Sequence, residues 1–145
     1  MNEEHEIRGK AVLVGFLVDN VGGFLGGLVA ASVAAVSLTL RGVPSQELGS
    51  AIARLAWVQP FSLATGLLFS AIGGYVGAVL APRAEIRNAF GVGACSFLFA
   101  LALFAVFPDA SPRWATFTSL VLAIPLAVLG GYARLVTNKT AEPVG

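Results

Sequence analysis

Asp19 is the residue of this sequence whose type and position best fit it for chemistry. It stands in Val18-Asp19-Asn20-Val21-Gly22-Gly23, inside an apolar run from Ala11 to Leu40. A carboxylate in such a run can hold a proton or a cation, or accept hydrogen bonds from a neighbouring helix. Asn20 adds an amide that both donates and accepts. Helical spacing gives the direction. Asp19, Gly23, Gly27 and Ala31 share one i, i+4 row, so the carboxylate is expected to look into a helix bundle along a ridge of small residues. Its depth stays open: about 12 Å in if the apolar core begins at Ala11, interfacial if the core begins near Asn20. An inward acid within a span is a candidate ion, proton or polar-ligand site. The alternative is structural, as an interfacial acid, an interhelical acceptor, or a partner for Lys10 or Arg134.

Other chemistry lacks its residues. His5 is the only histidine and lies in the acidic leader beside Glu3, Glu4 and Glu6, so no Ser-His or Cys-His couple is expected within an apolar core. The single cysteine, Cys95, leaves no intramolecular disulfide or zinc cluster and reads as a small packing residue. Gly91-Val92-Gly93 follows no strand and reads as packing, not as a dinucleotide loop. No catalytic set, metal or cofactor is expected, and the chain does not read as an enzyme.

The elements that must position Asp19 are membrane spans. Four windows lack any Asp, Glu, Lys or Arg, namely Asn20–Leu40, Leu55–Pro82, Asn88–Pro108 and Trp114–Ala133, and each holds at least 20 residues. About 20 apolar residues cross a hydrocarbon core roughly 30 Å thick. Hydrophobic residues make up 57% of the 145 and charged residues 12%, with a mean hydropathy of +0.83. That excludes a water-soluble globule. A net charge of +1 without a basic stripe argues against a nucleic-acid partner.

The expected fold is therefore an all-α membrane protein, a four-transmembrane-helix bundle with spans at about 11–40, 60–81, 89–107 and 114–136. Residues 1–10 form an acidic tail and 137–145 a second tail. The acidic leader and the long first apolar run argue for a retained span over a cleaved signal. Thirty helical residues, about 45 Å, overreach a simple crossing, so part of the first span should protrude, lie at the interface or bend at its glycines. Six basic residues (Arg8, Lys10, Arg83, Arg87, Arg134, Lys139) fall on the side of the termini and three (Arg41, Arg54, Arg113) on the other. The positive-inside rule then places both termini in the cytoplasm. Trp57 and Trp114 fall at the predicted outer boundary and Tyr75 and Tyr132 near the inner one, as interface anchors. Between the first two spans, Pro44-Ser45 reads as a helix start with Ser45 as N-cap. A short amphipathic helix over about 45–57 is expected, with Leu48, Ala51, Ile52 and Leu55 on one face and Pro60 ending it.

Small residues recur every four positions. The second span carries Ser62, Gly66, Ser70, Gly74 and Ala78, the fourth Ala115, Ser119, Ala123, Ala127 and Gly131. The first has paired ridges, Gly22-Gly26-Ala30-Ala34 and Gly23-Gly27-Ala31-Ala35. Such ridges allow close backbone approach, which is how helices associate in lipid. Gly23, Gly27, Gly66, Gly74 and Gly131 are the expected packing positions, with spans one, two and four in closest contact and the Phe-rich third span apart. At an offset of 57, Ser62-Leu63 matches Ser119-Leu120 and Gly73-Gly74-Tyr75 matches Gly130-Gly131-Tyr132. Either two helical hairpins share an ancestor, or spans drawn from few residue types match by chance. Pro125 should kink the fourth span, either lining a cavity or simply accommodated by packing.

The Gly-Gly-Tyr element closing a span, followed by small residues and a basic one, through Arg83 and again at Arg134, resembles that of small uncharacterised prokaryotic four-span membrane proteins. The resemblance implies a bacterial or archaeal inner membrane. Two functions fit: a transporter or channel-like subunit for an ion or small solute with Asp19 and Asn20 on its path, or a non-transporting scaffold assembling through its small-residue faces. The expected partners are the lipid bilayer and a second copy of the chain or another membrane protein.

Overall fold

The computed structural model describes residues 7–108 and 111–141, with side chains through 138. The leader residues 1–6, including His5, and the end of the second tail, 142–145, lie outside them. The described residues form five helices: α1 (Gly9–Leu40), α2 (Leu48–Arg54), α3 (Val58–Val79), α4 (Glu85–Val106) and α5 (Arg113–Ala141). Four of them, all but α2, are long and apolar enough to cross a membrane. The protein is a multi-pass, all-helical membrane protein.

Its side chains are distributed accordingly. The buried apolar residues are mostly alanine, and the largest fully buried side chains are Val92 and Asn88, whereas Phe24, Leu28, Val33, Leu98, Phe117 and Val121 face outward. In water this would be an inverted protein. In lipid, where outward Leu and Phe cost nothing, small residues belong inside because they let helices touch.

Local signals explain the ends. α1 is one unbroken helix of 32 residues, about 48 Å, and it stops in a glycine cap. Gly42 has φ +81, its N–H reaches the Thr39 carbonyl, and the Val43 N–H reaches that of Leu38. This double closure needs a left-handed residue, which glycine supplies. The short helix between the first two spans, α2, is shorter than the sequence predicts. Ser45 does not cap it, since α2 starts at Leu48 behind Glu47, with no side-chain cap. Its expected face holds, with Leu48, Ala51, Ile52 and Leu55 half-buried and Ser50 and Arg54 exposed. Pro60 does not end α2. It occupies the first turn of α3, where its missing N–H would have no intrahelical acceptor anyway. Between α3 and α4 the chain turns within Leu80–Ala84, with Arg83 at φ +75. α5 runs to Ala141, so 137–141 continue the helix beyond the expected span.

α3 packs most extensively, against α1 on one side and α5 on the other, and α4 lies against α5 while touching α3 and α1. α1 and α5 do not meet among the described residues, so the expected cluster of spans one, two and four is two pairs sharing α3. α4 is not set apart. It runs parallel to α1, as the ascending pairs Arg8–Asn88, Val12–Gly91, Gly15–Val92 and Asp19–Ser96 show.

The small ridges of α3 and α5 turn inward, but close approach is concentrated at particular glycines. A Cβ on Gly74 would strike the Ala127 backbone, and one on Gly130 the Ala71 carbonyl. Gly131 sits against Ala89 of α4. On α1 the tight positions are Gly15, Gly22 and Gly26, against α3 and Val92 of α4, so the buried stripe follows the Gly22 ridge. Gly27 and Gly66 have open space where a methyl would stand, and a Cβ on Gly23 would make only ordinary contact, 3.5 Å from Gly66. Gly27→Ala should therefore leave the thermal unfolding midpoint unchanged or raise it, because alanine favours a helix over glycine by about 0.5–1 kcal/mol. A lowered midpoint in detergent-solubilised protein would contradict that open surface.

Candidate functional site

Asp19 faces the interior as its spacing requires, at 6% exposure. Gly73 makes this possible. A Cβ at Gly73 would stand 2.8 Å from the Asp19 Cβ and 2.5 Å from the Gly15 carbonyl oxygen, so only glycine lets α1 come this near to α3. Two serines then close on the carboxylate. Ser70 of α3 donates to Oδ1 at 2.9 Å, and Ser96 of α4 donates to Oδ2 at 2.5 Å. The Asn20 amide donates to the Ser96 hydroxyl at 3.3 Å and to the Phe16 carbonyl at 2.9 Å. Ser96 thus accepts from one neighbour and donates to the other, a chain in which each bond polarises the next. Three helices meet at one carboxylate.

The serines also fix its depth. Ser70 and Ser96 stand near the middle of two helices of 22 residues each. The carboxylate therefore lies not at the edge of the bundle but near its mid-height, where an acid costs most. Neither α3 nor α4 brings a titratable side chain to it. Its neighbours there are Ser70 and Gly73 from α3, and Ser96 from α4.

Below Asp19 the bundle is closed. Gly15, Gly73, Gly77 and Val92 pack against one another, and Asn88, fully buried, ties α1 to α4 by accepting from the Arg8 N–H at 2.9 Å and donating to the Ala84 carbonyl. Above Asp19 the bundle is open. The side-chain contacts joining α1 to α4 run from Arg8–Asn88 through Asp19–Ser96 to the edge-to-face pair of Phe16 and Phe99. Farther on lies a cavity of about 580 Å³, walled by Gly23 and Phe24 of α1, Gly66 of α3, Leu103 of α4 and Ser119 of α5, with Asp19, Asn20, Ser70 and Ser96 at its base. A second chamber of about 420 Å³ shares Ser62, Leu63, Ala100, Leu103 and Ser119 with the first and reaches Gln59, Ser111 and Thr116 at the end of the bundle where α3 and α5 begin. Asp19 is the only ionisable residue among the described residues that line either chamber.

The structure thus gathers Asp19, Asn20, Gly23 and Gly66 around one cavity. Gly23 and Gly66 leave room there in place of making tight contact. Gly74 and Gly131 pack α3 and α4 onto α5, and Gly27 joins neither group. Trp57 and Trp114 stand exposed at the starts of α3 and α5, Tyr132 is exposed farther along α5, and Tyr75 is half-buried. Cys95 points outward and does not pack inside. Pro125 is exposed and is not among the cavity residues.

Ser70 and Ser96 carry the site together with Asp19; the sequence pattern marked Ser70 only as a member of a small-residue ridge and did not single out Ser96. Most hydroxyls here donate to a carbonyl three or four residues back, as Thr65 does to Phe61 and Thr118 to Trp114. Ser70 and Ser96 instead donate across helices, a difference visible only once the helices are placed. Ser96→Ala should cost about 1–3 kcal/mol, because Oδ2 and the Asn20 amide both lose a partner inside the bundle. Equal unfolding midpoints of mutant and parent in matched detergent would count against the bond. Comparison with protein-family models, with curated proteins and with solved structures finds no match.

Proposed function

We propose that the protein is a transporter or channel-like subunit for an ion or small solute, with cargo bound at Asp19. The carrying observation is the placement of one carboxylate, with no cationic partner among the described residues, at the base of a cavity reaching one end of the bundle. A buried carboxylate is costly unless a proton or cation accompanies it, so the site is suited to taking up either. The cluster of Asn20, Ser70 and Ser96 supplies oriented hydroxyls and an amide around whatever enters. The uneven distribution of basic residues supports cytoplasmic termini, with the cavity mouth then on the outside, and the Gly-Gly-Tyr element supports a prokaryotic inner membrane. A closed floor and an open mouth describe an outward-facing state, and transport requires the contacts around Gly15, Gly73 and Gly77 to loosen in turn.

The test is flux. Purified protein in proteoliposomes should move a cation or protons down an imposed gradient, and Asp19→Asn should abolish it. Absence of flux with the wild type across ions and pH gradients would sink the reading.

One observation favours a scaffold instead. Both carboxylate oxygens already accept a serine hydroxyl, so Asp19 also works as a clasp that holds three helices in register. On that reading, assembly with a second copy or another membrane protein uses the outward apolar faces, because the tightest glycine contacts lie within one chain.

A further inference from the structure

We infer that the cavity takes a singly charged organic cation with an apolar body, an amine or quaternary ammonium in kind. The inference rests on the reading of the cavity as a cargo site and specifies the class of cargo. Charge comes first. The described lining residues offer a single ionisable side chain, Asp19, which balances one positive charge and no more. A divalent cation is held by several oxygens with more than one carboxylate among them, and none of the described residues form such a group.

Size and wall chemistry come next. About 580 Å³ is far more than a bare ion fills, and lies within the range of pockets that enclose drug-sized molecules. Its upper walls are apolar, with Phe24, Leu63, Leu67, Phe99 and Leu103 around it. Such walls cannot replace the water shell of an inorganic ion, but they do hold methyl and ring groups. Phe99 also borders the cavity, and an aromatic ring attracts a desolvated cation that reaches its face. The polar groups gather at the blind end, where the cationic head would sit against Asp19. The apolar body would then fill the space that Gly23 and Gly66 leave open.

The test uses the full chain in lipid nanodiscs, with benzyltrimethylammonium as probe and neopentylbenzene as its neutral isostere. Equilibrium binding should show saturable uptake of the cation and at least about tenfold weaker binding of the isostere. Asp19→Asn should weaken the cation by at least about tenfold. Gly66→Leu should do the same with the carboxylate intact, by filling the cavity from a position where a Cβ meets nothing within 4 Å. Helical circular dichroism confirms that each variant is folded, and should Asp19→Asn not fold, Gly66→Leu and the isostere decide. Equal binding of cation and isostere overturns the inference, as does no saturable binding. Asp19-dependent flux of sodium ions or protons without benzyltrimethylammonium binding overturns it while the transport reading stands. Asp19-dependent binding of the probe without flux supports it while the transport reading falls.

Discussion

Gly130→Leu should abolish the folded bundle. The Cβ of a new side chain at 130 would meet the Ala71 carbonyl and the Tyr75 amide nitrogen, and both are backbone atoms of α3. Backbone atoms inside a helix cannot rotate away, so α3 and α5 would have to separate along their whole contact. Extra methylenes in a packed core already cost about 1–3 kcal/mol where side chains can adjust, and here they cannot. A loss of at least about 3 kcal/mol is expected, a large part of the stability of a small domain. Gly74→Leu should behave alike, since its Cβ would meet the Ala127 backbone from the other side. The measurement is thermal unfolding followed by circular dichroism in detergent, with Gly27→Ala as the tolerated control. A folded Gly130→Leu protein with an unchanged midpoint would mean that α3 and α5 do not touch here. On the scaffold reading, the small-residue faces that carry Gly74 and Gly131 would mediate assembly, and substitutions there would disrupt it. The structure moves the effect inside one chain, because these glycines meet α4 and α5 of their own bundle.

Asp19→Asn should separate transport from folding. The amide keeps one oxygen, so one serine retains its acceptor. The other faces an NH2 group and must turn to accept in place of donating. That exchange costs about 1–3 kcal/mol and should lower the unfolding midpoint without emptying the folded state. The charge, however, is lost entirely, and flux that depends on it should fall to the level of empty liposomes. Asp19→Glu keeps the charge but moves it one methylene toward Ser70 and Ser96, and should retain reduced flux. Full flux in a folded Asp19→Asn protein would leave the clasp as the only role for this residue.

Much of the fold was legible in the sequence because lipid imposes simple rules. Uncharged windows of about 20 residues have to be helices, and four such windows became α1, α3, α4 and α5. The inward direction of Asp19 was read from the row it shares with Gly23 and Gly27; the carboxylate does point inward, but the buried stripe runs through Gly15, Asp19, Gly22, Ala30 and Ala34 and leaves that row looser. Choosing between the two glycine ridges of α1 did not follow, because ridges one residue apart differ by only 100° of rotation. The structure settles on Gly22 and Gly26 through their contacts with Phe69 and Thr65. The serine partners were illegible for a related reason. Ser70 and Ser96 are small enough to serve as packing residues, and whether a hydroxyl bonds its own helix or the next depends on the crossing of α1, α3 and α4. Asn88 was masked in the same way, as the first residue of an uncharged window and not as the buried tie between two helix starts that it is. Whether α3 and α5 descend from one hairpin is a separate question. Their parallel course and mutual glycine contacts accord with it, but packing needs would select the same residues.

The most direct test of a cavity leading to Asp19 is its access to water. In a Cys95→Ala background, Gly66→Cys and Ser119→Cys place thiols on the cavity wall, and Leu98→Cys places one on the outward face of α4. A small, positively charged, membrane-impermeant thiol reagent should modify Cys at 66 and 119 when added on the side where α3 and α5 begin, and should leave position 98 unmodified. Failure of both cavity positions to react from either side would show a packed interior around Asp19 and contradict the account.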